Sequence, residues 1–150
     1  MPIQRVGHVV LKMRDLEKAK EFYGGVLGMK IAEEAPFGIF FRFNDYHHDI
    51  AVFRTAPDAD LPKKDQVGLV HVALVADSVQ TVKAMYERCK EMGVPIEGTM
   101  DHGMTKSLYI RDPEGNEIEI YAEVPEFNYL ERSFVNATQP FDFEKVPATA

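Results

Sequence analysis

Two stretches of the chain lie over each other without a gap. GHVVLKMRDLEKAKEFY (residues 7–23) and VHVALVADSVQTVKAMY (residues 70–86) align with His8 placed on His71. Such self-similarity means that one supersecondary unit is built twice, and that neither copy need bury its own apolar surface alone. Each copy opens with an apolar run containing a histidine, residues 6–13 and 68–76, which reads as a strand. Asp15 and Ser78 follow as helix caps, because a short polar side chain can accept from the free amides of a first turn. Leu16, Ala19, Phe22, Tyr23, Val26 and Leu27 then form one helical stripe, and Val79, Val82, Met85, Tyr86, Cys89 and Met92 form the other. Gly28 and Gly93 end the two helices.

After each helix come three strand-like segments. In the first copy these are residues 29–33, 38–43 and 49–55, with turns at Pro36-Phe37-Gly38 and Asn44-Asp45. In the second they are residues 95–98 and a hairpin, SLYIR (107–111) and EIEIY (117–121), around Asp112-Pro113-Glu114-Gly115-Asn116. The expected fold is therefore α+β in a single domain. Two βαβββ modules, about 3–56 and about 67–122, are related by a pseudo-twofold, and their sheets curl around a shared cleft with the helices outside. A polar linker (55–66) joins the modules, and an extension (123–150) follows them. The extension has no clean period, and Pro140 and Pro147 exclude one long helix. Its Phe127, Tyr129, Leu130, Phe134, Phe141 and Phe143 are expected to cover the cleft or to clasp a second subunit.

Composition excludes several partners. A net charge of −7 argues against nucleic acid, whose phosphates need a basic patch. No apolar run reaches membrane-spanning length, and MPIQRVGHVV lacks the layout of a signal peptide. The single Cys89 fits a reducing compartment, so a cytoplasmic location is expected.

Glu119 is the unusual residue. In EIEIY, Ile118 and Ile120 share one face while Glu117, Glu119 and Tyr121 share the other. A carboxylate in mid-strand between apolar neighbours needs a partner, a metal or water. His8, His71 and Glu119 each admit a plain packing or solvent role when taken singly. The repeat equivalence of the two histidines, with a carboxylate on the last strand, makes a metal set of the three.

A histidine in the first strand of each half and the closing LYIRDPEGNEIE, over residues 6–122, resemble the vicinal oxygen chelate superfamily. That superfamily includes glyoxalase I, methylmalonyl-CoA epimerase, the bleomycin- and fosfomycin-resistance proteins and the extradiol ring-cleaving dioxygenases. Its metal-binding members such as glyoxalase I take four protein ligands, from the first and last strands of both halves. Here DIAVF aligned with EIEIY puts Ala51 opposite Glu119, and alanine binds no metal. His8, His71 and Glu119 remain, a two-histidine, one-carboxylate set with open positions of the kind that non-haem Fe(II) oxygenases use.

The resemblance to single-domain extradiol enzymes implies further roles. His48, of the pair His47-His48, maps onto the acid/base histidine, and Tyr109, ten residues before Glu119, onto a substrate-binding tyrosine. His102 maps onto a further histidine only if its loop is shortened. The implied reaction cleaves a small aromatic diol beside its hydroxyls with O₂ and Fe(II), with Mn(II) as a possible substitute, in a homo-oligomer. The alternatives are a glyoxalase- or epimerase-like lyase or isomerase with Asp49 or His47 as fourth ligand, and a metal-free protein that sequesters an aromatic drug.

Overall fold

The computed structural model describes residues 2–126, 128, 130 and 138–147. It holds two compact units, Met1–Val67 with the turn Asp112–Asn116, and Gly68–Arg111 with Glu117–Ala150. The first runs β1 (Val9–Met13), helix α1 (16–26), β2 (Lys30–Ala35), β3 (Gly38–Arg42) and β4 (Ile50–Arg54). The second runs β5 (His71–Val75), α2 (Val79–Glu91), β6 (Ile96–Asp101), β7 (Thr105–Arg111), β8 (Glu117–Glu123) and β9 (Gln139–Pro140). The sheets have the orders β1-β4-β3-β2 and β5-β8-β7-β6-β9. In each the first strand is parallel to the last of its module and the other pairs are antiparallel. The fold is α+β, and βαβββ is drawn twice.

Both helix caps are present. The Asp15 carboxylate accepts from the amides of Glu17 and Lys18, and the Ser78 hydroxyl accepts from that of Thr81. Gly28 and Gly93 close the helices at φ of 74° and 69°, a conformation that side chains disfavour. Helix α1 is α-helical over Leu16–Ala19 and widens to π-helical geometry over Lys20–Val26. The sequence stripe carries no signal for that change. All six stripe residues of α1 are buried, and in α2 Val82 and Cys89 are. Tyr23 is fully buried, and its hydroxyl donates to Asp112 Oδ2 at 2.9 Å. Burial, and then the Asp112 charge, push the Tyr23 hydroxyl far above its ordinary range. Asp112 also accepts from the amides of Glu114 and Asn116 and from the Asn116 side chain, which satisfies a carboxylate only 4 % exposed.

The strand registers superpose the two units residue by residue. Ala51 faces Val10 on one side and Phe40 on the other, and Glu119 faces Ala73 and Tyr109. Even the bulge repeats, between Ile31 and Glu33 in β2 and between Ile96 and Gly98 in β6.

The first strands are shorter than their apolar runs suggest. β1 starts at Val9, so His8 stands just before the strand rather than inside it, and His71 is the first residue of β5. The cause is the partner: β4 begins at Ile50 and β8 at Glu117, so earlier residues have no ladder to join. The segment expected at 95–98 is longer than expected, reaching Asp101. Of the extension, Phe141 and Phe143 pack within the second unit. Phe143, 1 % exposed, stacks on Tyr86 of α2 and meets Phe141 edge-on. Leu130 is exposed. The expectation for Phe127, Tyr129 and Phe134 lies outside the described residues.

Candidate active site

In the second unit one sheet face is apolar and the other is not. Ile110, Ile118 and Ile120 are buried on the first, where α2 packs. The other carries His71, Tyr109, Glu117, Glu119 and Tyr121, set side by side by the β5–β8–β7 register. Glu119 is 8 % exposed and its two oxygens go to different partners. Oε2 is 3.1 Å from His71 Nε2, and Oε1 accepts from the Tyr109 hydroxyl at 2.9 Å. Burial, and then the bond to Glu119, raise the Tyr109 hydroxyl well above its ordinary value, so it stays a donor. The same hydroxyl lies 2.9 Å from His102 Nε2, which brings the least expected of the sequence candidates into the site.

Behind His71, Nδ1 faces Glu117 Oε1 at 3.6 Å. Glu117 is held in turn by Arg111 Nη2 at 2.8 Å, and Arg111 Nε lies 3.3 Å from Glu97. A carboxylate on the far nitrogen orients an imidazole for work with the near one. This backing was readable only as a parity: Glu117 lies two residues before Glu119, on the same face. A cavity of about 580 Å³ opens beside the cluster, lined among others by His102, Met104, Tyr109, Glu119, Tyr121 and Val124.

The first unit holds the other two candidates. The His8 and His48 rings are 4.3 Å apart, His48 meets Phe40 edge-on, and His47 Nδ1 is 2.7 Å from His48 Nδ1. Burial, and then the neighbouring His8 and His47, lower the His48 pKa, so the ring is neutral at pH 7 and able to take up a proton. Asp49, a candidate fourth ligand, gives one carboxylate oxygen to the Phe43 amide at 2.9 Å, and His47 is exposed.

The His71–Glu119 pair is compatible with a shared divalent ion. Two ligands about 2.1 Å from an ion and at right angles stand about 3.0 Å apart, close to the observed His71–Glu119 separation. Mixed imidazole and carboxylate donors suit Fe(II) or Mn(II). Among the described residues no group of three or more His, Cys, Asp or Glu side chains is gathered as the ligands of one ion, so the His71–Glu119 pair is what carries this fit.

The family model "Glyoxalase/Bleomycin resistance protein/Dioxygenase superfamily" matches residues 5–120. The chain belongs to that superfamily. It is 32 % identical over 118 residues to biphenyl-2,3-diol 1,2-dioxygenase 3 of Rhodococcus globerulus, covering 77 % of this chain and 62 % of that protein, so it spans less than two thirds of this relative's length. It is also 31 % identical over 124 residues to lactoylglutathione lyase of Neisseria meningitidis serogroup A, covering 77 % of this chain and 88 % of the relative. Among solved structures, a glyoxalase/dioxygenase from Nostoc punctiforme matches with a TM-score of 0.69 at 22 % identity, over 81 % of this chain and 92 % of that one, a likeness of fold. Among the described residues no helix is long and apolar enough to cross a membrane.

Proposed function

We propose that the chain is an extradiol dioxygenase that opens a catechol-type ring with Fe(II) and O₂, in the cytoplasm and as a homo-oligomer. His8, His71 and Glu119 are the protein ligands. The observation that carries this reading is Ala51: the strand register gives it the place in the first unit that Glu119 has in the second, so the symmetry-related fourth ligand is missing. Asp49, partly engaged by the Phe43 amide, is a poor substitute. The likeness to a biphenyl-2,3-diol dioxygenase supports the same substrate class.

A bound Fe(II) with open positions would supply joint binding of diol and O₂ and the electron transfer between them. The chain's own residues do the rest. Glu117 lies on the far side of His71, 3.6 Å from Nδ1, where its charge favours the ring orientation that directs Nε2 toward the Glu119 carboxylate. Tyr109 presents a hydroxyl that remains protonated and so can hold an oxygen of the substrate in place. His48, neutral at pH 7, takes the proton that the diol releases and returns it during ring opening. Met104, Tyr121 and Val124 give the cavity wall the apolar character that an aromatic ring favours.

The test is anaerobic loading with Fe(II), followed by O₂ uptake against a small panel of catechols. Uptake that requires both iron and catechol, with a yellow ring-opened product, is expected. Isomerisation of a hemithioacetal without O₂ uptake would put the lyase alternative in its place.

A further inference from the structure

The C-terminal extension returns to the second unit as β9, antiparallel to β6, with Pro140 facing Met100 and Gln139 facing Asp101. One residue further along that register, Thr138 stands across from His102. Their side chains meet, with Thr138 Oγ1 3.0 Å from His102 Nδ1. The segment is anchored beyond this point. The Phe141 amide donates to the Thr99 carbonyl, the Thr99 hydroxyl donates to the Phe141 carbonyl, and Lys83 Nζ donates to the Phe143 carbonyl.

Counting protons along the contact gives it a direction. A neutral imidazole carries one N–H, and a tyrosine hydroxyl carries one proton. The Tyr109 proton goes to Glu119 Oε1, which as a carboxylate only accepts. The 2.9 Å contact between His102 Nε2 and the Tyr109 oxygen is then a hydrogen bond only if Nε2 holds the imidazole proton. That leaves Nδ1 bare, and Thr138 is the donor that satisfies it. In the opposite tautomer, bare Nε2 would compete with Glu119 for the single Tyr109 proton.

We propose that Thr138 is a positioning residue: held opposite His102 by the β6–β9 pairing, it donates to Nδ1 and holds the His102 ring so that Nε2–H meets the Tyr109 oxygen. The tautomer follows from this geometry alone, and its effect on turnover rests on the dioxygenase reading. The extension therefore takes part in the site through Thr138, in addition to the Val124 that lines the cavity.

The experiment uses the full chain with ¹⁵N-labelled histidine at pH 8 without added metal, where long-range proton–nitrogen correlations report which ring nitrogen is protonated. A His102→Gln spectrum assigns the signals. Wild type is expected to show His102 protonated at Nε2, Thr138→Ser to keep that pattern, and Thr138→Val to give a tautomer mixture at unchanged thermal stability. In the Fe(II)-loaded enzyme Thr138→Val should lower kcat about ten-fold, the scale of one hydrogen bond, with Thr138→Ser within about two-fold of wild type. Wild-type His102 protonated at Nδ1, or a Thr138→Val spectrum identical to wild type, overturns the proposal. Normal turnover in a Thr138→Val protein that has lost the tautomer overturns its link to catalysis. A chain that oxygenates no catechol removes the dioxygenase reading, while the tautomer still stands or falls on the spectra.

Discussion

The same three neighbouring positions are occupied by Val10, Ala51 and Phe40 in the first unit and by Ala73, Glu119 and Tyr109 in the second. In the first unit Phe40 continues into an aromatic cluster with Phe37 and Phe53, the apolar solution to covering a sheet face. In the second unit the face carries a buried carboxylate, and its desolvation is offset by His71 and Tyr109. Strand order, bulge and helix caps are alike, so the backbone does not need the polar cluster. The difference leaves a polar sheet face in the second unit and an apolar one in the first, on the same strand order.

Exchanging residues between the halves tests which of them the polar face needs. The largest effect is expected for Glu119→Ala, which gives the second unit the residue of the first. Fe(II) affinity should fall more than about 100-fold, beyond the usual loss for an outer partner of a metal ligand, with the thermal transition retained. Metal analysis after gel filtration reads this, and full iron content would place the carboxylate ligand elsewhere. Next comes Tyr109→Phe, the counterpart of Phe40, together with His48→Ala. Both should keep iron and lower kcat by roughly 10²- to 10⁴-fold. Steady-state O₂ uptake checks both, and normal rates in both would remove their assigned roles.

The reverse exchange, Ala51→Glu, introduces a buried carboxylate opposite Phe40 in place of a fully buried methyl. It should cost about 2–4 kcal/mol in urea unfolding, from overpacking and an unpaired polar group. The smallest effect concerns α2, where Cys89 holds the repeat position of Val26. Burial pushes its thiol from 9.0 up to about 11. The neutral thiol's contribution is complete below pH 9 and is lost as pH rises toward 11, a decline of about 2–3 kcal/mol that Cys89→Val should lack. Urea midpoints from pH 8 to 11 for the two proteins measure it.

Much of this was legible in the sequence because it follows from local chemistry. Asp15, Ser78, Gly28 and Gly93 mark the helices through backbone groups close to them, and the ten-residue spacing of Tyr109 and Glu119 spans a tight turn, so the two become a cross-strand pair. The equivalence of Ala51 and Glu119 followed from laying the last strand of one half, DIAVF, on that of the other, EIEIY. What was not legible depends on contacts distant in sequence. β1 and β5 are as short as β4 and β8 allow, which an apolar run does not announce. The π-helical stretch in α1 has no periodic signature. His102 was hard to place because a loop's reach depends on its closure. Thr138 lies 36 residues from His102 and meets it only through β9, a two-residue strand with a proline in it.

Oxygenation is the chemistry that the proposed function requires of this chain. Its most direct test is mass spectrometry of the product formed by the Fe(II) protein from a catechol under ¹⁸O₂, quenched before exchange with water. A ring opened beside its hydroxyls and carrying both labelled atoms is expected. Unlabelled, unopened catechol under those conditions, from a protein with its iron bound, would contradict it.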